Sequence, residues 1–233
     1  MNRIIIIEEL HLSSSRIPKK VLQTVGGERL IDRGLRTLTQ VEQQSGIPVA
    51  VVAWAGDAEI VDACEKHGVR WIAKSEKSSQ AETWEGDFDG WQSVLDGVFD
   101  WGVFVNAVCH PFITAATIID FANRAKESTW PWQSAIEARG QAWDEAGTTL
   151  IPNGGIMNTK ISPIVRRPSH LSMGCSVADM YDATRAYNSV PEVFHVPVIE
   201  MIDIDTPADL EFARTVAFGL ARRGIVTNCE FPG

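Results

Sequence analysis

Near its carboxyl end the chain reads Ile202-Asp203-Ile204-Asp205-Thr206-Pro207-Ala208-Asp209-Leu210. Apolar and acidic residues alternate over four positions, and a Thr-Pro pair then opens a helix. A strand repeats every two residues, so Asp203 and Asp205 are expected on one face, about 7 Å apart, with Ile202 and Ile204 on the other. Two such carboxylates stay ionised at low cost only when water solvates them or a cation sits close by. Mg2+ suits them. It is a hard cation that takes one or two carboxylates and completes its shell with water and substrate phosphates. A strand edge with solvated acids, followed by a helix start, accounts for the same letters.

A second stretch with chemical potential is Leu12-Ser13-Ser14-Ser15-Arg16-Ile17-Pro18-Lys19-Lys20, which follows the apolar run Ile4 to Ile7. Arg16 can grip a phosphate with two parallel N–H bonds, Lys20 can neutralise it as a point charge, and Ser14 can add a hydroxyl bond. A solvated basic loop ahead of a helix is the alternative. Loops at the carboxyl ends of strands are where open α/β sheets bind ligands.

The elements that would position these groups alternate along the chain. Ile4 to Ile7 reads as a buried parallel strand. Leu30 to Ser45 reads as a helix, since Leu30, Ile31, Leu35, Leu38 and Val41 recur at helical spacing before Gly46-Ile47-Pro48. Val49 to Trp54 is a second strand, Asp57 to Gly68 a helix, and Val69 to Ala73 a third strand. A polar stretch from Lys74 to Asp89 reads as a surface loop or a lid. Then come a helix at Trp91 to Phe99, a strand at Gly102 to Val105, a helix at Thr114 to Lys126 and a strand at Thr129 to Ile136. Val193 to Val198 and Glu200 to Ile204 read as strands, and Pro207 to Arg223 as the last helix. The expectation is one α/β domain spanning 1–233. It should hold a single doubly wound, mostly parallel sheet flanked by helices, with a dimerisation or acceptor insert at about 128–195.

The 233 residues suffice for such a core, and the formal net charge of -9 argues against nucleic acid or an anionic membrane as the main partner. No stretch has the length of a membrane span, and Met1-Asn2-Arg3 followed by Ile4 to Ile7 turns acidic too soon for a signal peptide. A cytoplasmic location is the expectation. Cys64, Cys109, Cys175 and Cys229 show no metal-type pairing and read as free thiols.

Three segments in order resemble the cytidylyltransferases that make CMP-activated acidic sugars, the CMP-N-acetylneuraminate and CMP-pseudaminate synthetases, with CMP-Kdo synthetases as more distant relatives. Ser14 to Leu22 is similar to the loop GGSKRIPGKNL of that family. Pro152-Asn153-Gly154-Gly155-Ile156-Met157 is similar to its NGAIY segment, and Ile202 to Leu210 is similar to its metal segment nearly letter for letter. Leu12 and Ser13 stand where the family has glycines, and His11 where it has an arginine. Ala107 to Ile113 replaces the segment QPTSPLR.

The resemblance implies a nucleotide-diphospho-sugar transferase-like fold, a homodimer, and transfer of CMP from CTP to a small acidic acceptor, a 2-keto sugar, with Mg2+ and release of pyrophosphate. It implies that Arg16, Lys20 and Asp205 carry the catalysis. Asp203 and Asp205 would hold Mg2+, while Ser14, Arg16, Lys20 and Lys74 would bind nucleotide. Asn153 and Gly154 would line the acceptor pocket. Lys74 is read alternatively as a snorkelling surface lysine, and Asn153-Gly154 as a plain turn. Lys19, where the family often has glycine, is expected to face solvent, and Asp209 to be structural. His110 reads as a structural loop histidine or an acid contact, and His11 as a stand-in for the arginine. Trp84 and Trp91 read as core or as stacking partners for cytosine. Arg166 and Arg167 read as contacts for an acidic sugar or a second subunit. Three other readings remain: a cytidylyltransferase for another small acid or a phosphonate, an inactive nucleotide-binding relative, and a glycosyltransferase with a similar sheet.

Overall fold

The computed structural model describes residues 3–79, 98–127, 132–139, 142–143, 148–151, 164–176 and 192–224. Strand β1 (Ile4–Leu10) is the first element, and the short pair β2 (Thr24–Val25) and β3 (Glu28–Arg29) precedes helix α1 (Leu30–Ser45). Then follow β4 (Val49–Trp54), α2 (Ala58–His67), β5 (Trp71–Lys74) and the single turn α3 (Glu76–Ser79). Next come β6 (Trp101–Val105), α4 (Ala115–Glu127), β7 (Trp132–Arg139), β8 (Ala142–Trp143), β9 (Thr149–Ile151) and β10 (Ile164–Ser176). The chain closes with β11 (Glu192–His195) and α5 (Pro207–Arg222).

Seven strands form one sheet in the order β11-β7-β10-β6-β1-β4-β5. β5, β4, β1 and β6 pair in parallel, β10 runs against both β6 and β7, and β11 is parallel to β7. One strand is thus reversed and the sheet is mostly parallel, as expected. β7 and β10, from the segment read as an insert, are strands of this main sheet.

Period-2 alternation sends Ile4, Ile6 and Leu10 of β1, Val49, Val51 and Ala53 of β4, and Val103 and Val105 of β6 into one core. Leu30, Ile31, Leu35, Leu38 and Val41 of α1 pack into the same core from their apolar stripe, with Ile60 of α2 and Ile118 and Phe121 of α4. Gly46 and Gly68 end α1 and α2 in the left-handed conformation, φ 67° and 65°, which lets each cap carbonyls of the last turn.

Several expected boundaries shift. The third strand begins at Trp71 rather than Val69, and the strand expected at Thr129–Ile136 is Trp132–Arg139. β11 ends at His195. The strand expected over Glu200–Ile204 is absent. Val198–Met201 forms a 3-10 turn instead, Ile202 is extended, and residues 202–205 join no ladder. Ile204 is fully covered and donates its N–H to the Cys109 carbonyl, so a loop holds the segment and not sheet pairing. Most of the segment read as a lid and most of the helix at Trp91–Phe99 lie outside the described residues.

Candidate active site

β4 and β6 flank β1 on opposite sides, and the chain reaches β6 only after β4 and β5 are laid down on the other side. The carboxyl ends of β1 and β6 therefore form a topological switch point, where loops leaving the sheet diverge and open a crevice. Three chain segments meet there: the loop after β1, the loop after β6, and residues 202–206.

The loop after β1 is pinned at both ends. Asp57, buried at the start of α2, accepts the Leu12 N–H at 3.1 Å, and the Ser14 hydroxyl accepts the Ile17 N–H at 3.4 Å. Ile17 and Val21 are 4% and 3% exposed and anchor the loop in the core. Ser13, Ser15, Arg16 and Lys19 are left at the surface, whereas Ser14 and Lys20 are partly covered. Lys19 takes the left-handed conformation, φ 47°. That is the backbone region where glycine carries no side-chain cost. Its ammonium meets Glu59 at 2.5 Å, with the side chain 59% exposed, so it faces solvent as expected.

Arg16 and Lys20 converge on one carboxylate. Asp205 Oδ1 accepts from the Arg16 guanidinium at 2.9 Å and from Lys20 Nζ at 3.3 Å. Arg16 is well exposed, whereas Lys20 is only 14% exposed at its side chain. Burial works against the Lys20 charge, but the Cys109 sulfur and Asp205 more than offset it, and its pKa lies above the ordinary lysine value. The sequence-derived cationic loop and the acidic segment are therefore parts of one site.

The acidic segment is held by its neighbours. The Ile204 N–H donates to the Cys109 carbonyl at 2.9 Å. Thr206 and Asp209 form a reciprocal capping box at the start of α5, and Asp209 Oδ2 also accepts the Asp205 N–H at 3.2 Å. Partial burial opposes the Asp209 charge. The Thr206 hydroxyl, the N–H groups of Thr206 and Asp205, and Arg16 outweigh it and keep its pKa below the usual carboxylate range. Asp209 is structural, as read. On the other side, buried Glu200 accepts from Thr114 N at 3.2 Å and Thr114 Oγ1 at 3.3 Å, tying the 3-10 turn to the first turn of α4.

The loop after β6 differs from its expected counterpart. Every residue from Ala107 to Ile113 is buried. His110 is fully covered, its Nδ1 2.8 Å from the Asn106 carbonyl, so it is a structural histidine. Cys109 lies against Lys20, and burial pushes its thiol up to about 12. Cys109 and Cys64 are free thiols, as expected. Two residues missed from the sequence matter here. Glu8 of β1 is fully buried and accepts the Ala107 and Val108 N–H groups at 2.7 and 3.2 Å. Gly34 of α1 leaves no room for a side chain, since a Cβ would lie 2.6 Å from Val108 Cγ2. The signal for Glu8 was present: it is an acid within an apolar strand, in step with Ile4, Ile6 and Leu10.

Lys74 ends β5 at the same edge of the sheet. It is buried, not a snorkelling surface lysine, because it forms an ion pair with Glu9 of β1 across β4. His11 lies 3.1 Å from the Ser13 hydroxyl. Asp100 pairs with Arg3 at the opposite edge of the sheet. Asn153, Gly154, Trp84 and Trp91 lie outside the described residues. Arg166 and Arg167 sit on β10 opposite Glu137 and Ile136.

No family model matches the chain, and no curated protein does. Solved structures do. A 4-diphosphocytidyl-2C-methyl-D-erythritol synthase from Anaerococcus prevotii DSM 20548 superposes with a TM-score of 0.63 at 16% identity, over 91% of this chain and 97% of that one. A CMP:2-keto-3-deoxy-manno-octonic acid synthetase complexed with CTP gives a TM-score of 0.63 at 16% identity, over 95% of this chain and 99% of that one. The fold is nucleotidyltransferase-like.

Within this nucleotidyltransferase-like fold the donor chemistry at the crevice suits Mg2+. Asp205 already collects two cationic groups on one oxygen, so it is a carboxylate placed to hold positive charge. Asp203 lies two residues away, half-buried, and close enough to Cys109 to raise the thiol pKa. Among the described residues no cluster of three or more His, Cys, Asp or Glu forms a ready-made metal cage. Mg2+ needs none, because one or two carboxylates together with substrate phosphates and water complete its octahedron.

Proposed function

We propose that this chain is a Mg2+-dependent cytidylyltransferase that transfers CMP from CTP to a small acidic acceptor and releases pyrophosphate. The observation that carries the reading is the meeting of Arg16, Lys20 and Asp205 at the carboxyl edge of β1, from segments 189 and 185 residues apart. The fold adds support, since one structural neighbour is a synthetase in complex with CTP and the other is named for a cytidyl product.

In this reading the triphosphate enters between the β1 loop and Asp205. Arg16 and Lys20 exchange the Asp205 carboxylate for phosphate oxygens, with Arg16 supplying a two-pronged grip and Lys20 a fixed point charge. Ser14 adds a hydroxyl contact. An acceptor oxygen attacks the α-phosphorus and a new P–O bond forms. The α–β bridging bond breaks, its electron pair leaves on pyrophosphate, and the acceptor proton passes to solvent. Charge builds on oxygens that Arg16 and Lys20 already face, so positioning and electrostatics supply most of the rate. Mg2+ on Asp203 and Asp205 would neutralise the α-phosphate and lower the pKa of the attacking hydroxyl. Lys74, held by Glu9 at the same edge, would lie beside the nucleoside, and Asn153 and Gly154 would contact the acceptor.

An acidic 2-keto sugar is the proposed acceptor, in keeping with the three sequence segments. The buried, largely apolar loop Ala107–Ile113 favours a second reading, in which the acceptor is another small acid or a phosphonate. That loop stands where the resembled family carries polar contacts. The test measures pyrophosphate release with Mg2+, crossing CTP, UTP, GTP and ATP with 2-keto acid sugars and small phosphonates. Release with CTP and one acceptor, lost on chelation with EDTA and in Asp205→Ala, is expected. Failure of every pair, together with no CTP binding by calorimetry, would return the chain to the class of nucleotidyltransferase-like folds without this activity.

A further inference from the structure

We propose that Glu8 is a positioning residue for this site, holding Lys20 and the Asp203–Asp205 segment in place through the backbone of residues 107–109. The proposal rests on the reading of the crevice as a CTP site.

Glu8 lies on β1 between Val51 of β4 and Val105 of β6, with no exposed surface. A carboxyl group in such a place is costly unless its oxygens are bonded. Both are used, Oε2 by the Ala107 N–H and Oε1 by the Val108 N–H. These are the N–H groups of two consecutive residues in the turn that leaves β6. The next residue, Cys109, faces the crevice. Its carbonyl accepts the Ile204 N–H and its sulfur lies against Lys20. Three consecutive residues thus join a buried acid to both halves of the site. An apolar residue at position 8 would suit the strand equally well, yet it would strip two N–H groups of these acceptors and loosen the turn that carries Cys109.

The pair of N–H bonds reaches full strength only when Glu8 is ionised, because a protonated acid has one oxygen that donates. Burial pushes its pKa up to about 8, against the two N–H groups, which lower it. The titratable groups that feel Glu8 are Cys64 of α2 and Cys109 of the loop. Burial pushes both thiols to about 12, so neither changes charge between pH 7 and 9. Lys20 and Asp203 lie beyond Cys109, and the flanking strands present Val51 and Val105. Holding of the turn should therefore tighten as pH rises through about 8.

The test combines calorimetric titration of CTP with Mg2+ and hydrogen exchange, corrected for intrinsic rates, on wild type and Glu8→Gln at pH 7 and 9. Wild type should bind CTP several-fold more tightly at pH 9 and exchange the Ala107 and Val108 amides more slowly. Glu8→Gln should bind CTP at least tenfold more weakly at pH 9, show no gain with pH, and exchange faster at 107, 108 and 204. Wild-type affinity and exchange in the variant at both pH values would overturn the proposal. If Glu8→Gln does not fold, wild type followed from pH 5 to 9 decides: slower exchange at 107 and 108 and tighter CTP binding as Glu8 ionises support the assignment, and flat behaviour over the whole range overturns it. If wild type itself does not bind CTP, the cytidylyltransferase reading falls. The exchange arm then decides for Glu8 alone, in its favour if 107, 108 and 204 loosen in the variant and against it if they do not.

Discussion

Asp205 and Arg16 stand 189 residues apart in sequence and meet at 2.9 Å, with Lys20 sharing the same carboxylate oxygen. The contact joins the first loop of the sheet to the cap of the last helix. In the proposed reaction a triphosphate and its metal would part these two cations from the acid.

Asp205→Ala removes that acid from a surface position, so the fold should survive. We expect pyrophosphate release to fall by a factor of about 10²–10³, the scale for losing one preorganised group that stabilises transition-state charge. Melting temperature should stay near that of wild type. Rate measured at saturating CTP, beside a thermal scan, checks both expectations.

Lys19 sits at φ 47°, where any side chain strains against its own carbonyl. Lys19→Gly and Lys19→Ala both discard the pair with Glu59, which is solvent-exposed and contributes little. The difference between them isolates the backbone, and the glycine variant should be more stable by about 1 kcal/mol. Urea midpoints of the two variants, compared directly, test this.

Gly34→Ala would favour a helix in isolation by about 1 kcal/mol. Here the new methyl group meets Val108 Cα at 2.9 Å and Val108 N at 3.0 Å, both backbone atoms that must move. We expect net destabilisation of about 1–3 kcal/mol, read from urea unfolding, together with weaker CTP binding because the displaced turn carries Cys109.

Asp32 gathers Arg29 at 2.5 Å, His67 at 2.8 Å and Lys66 at 3.0 Å, and so staples α1 to α2. Burial disfavours its charge, but the bonds from Arg29, His67 and Lys66 win and hold its carboxyl far below the usual range. Its folded pKa lies under its unfolded one. The stability it adds is complete above the unfolded value of about 4 and is lost as pH falls below it. Asp32→Asn should therefore be less stable than wild type at pH 7, with the gap closing below pH 4. Chemical denaturation from pH 7 to 3 gives the comparison.

Much of the scaffold was legible in the sequence because burial imposes period. Leu30–Ser45 was readable from five apolar residues at helical spacing and a terminating glycine, and the structure gives the same bounds. Val49–Trp54 was readable as a continuous apolar run, since a parallel strand inside a sheet is covered on both faces. Glu200–Ile204 misled, because its alternating letters belong to a 3-10 turn and a segment docked on the Cys109 loop, with no neighbouring strand to pair with. The site was half legible. Arg16, Lys20 and Asp205 could be named from segment likeness. Glu8 could not, because its task depends on the backbone of a loop about a hundred positions away. Lys74 looked like a surface lysine because its acid, Glu9, comes from a strand two places across the sheet.

β1 lies inside the sheet, with β4 on one side and β6 on the other, and both neighbours follow it in the chain. Ile4 to Ile7 gains its first neighbour when Val49–Trp54 emerges, but its second edge stays open until Trp101–Val105 has been made. At about 5–20 residues per second that is a wait of roughly 5–20 s for an apolar strand with unpaired backbone. Until Trp101–Val105 is made, that edge of β1 is open to pairing with any other strand, so β6 is the element that closes the sheet against other chains.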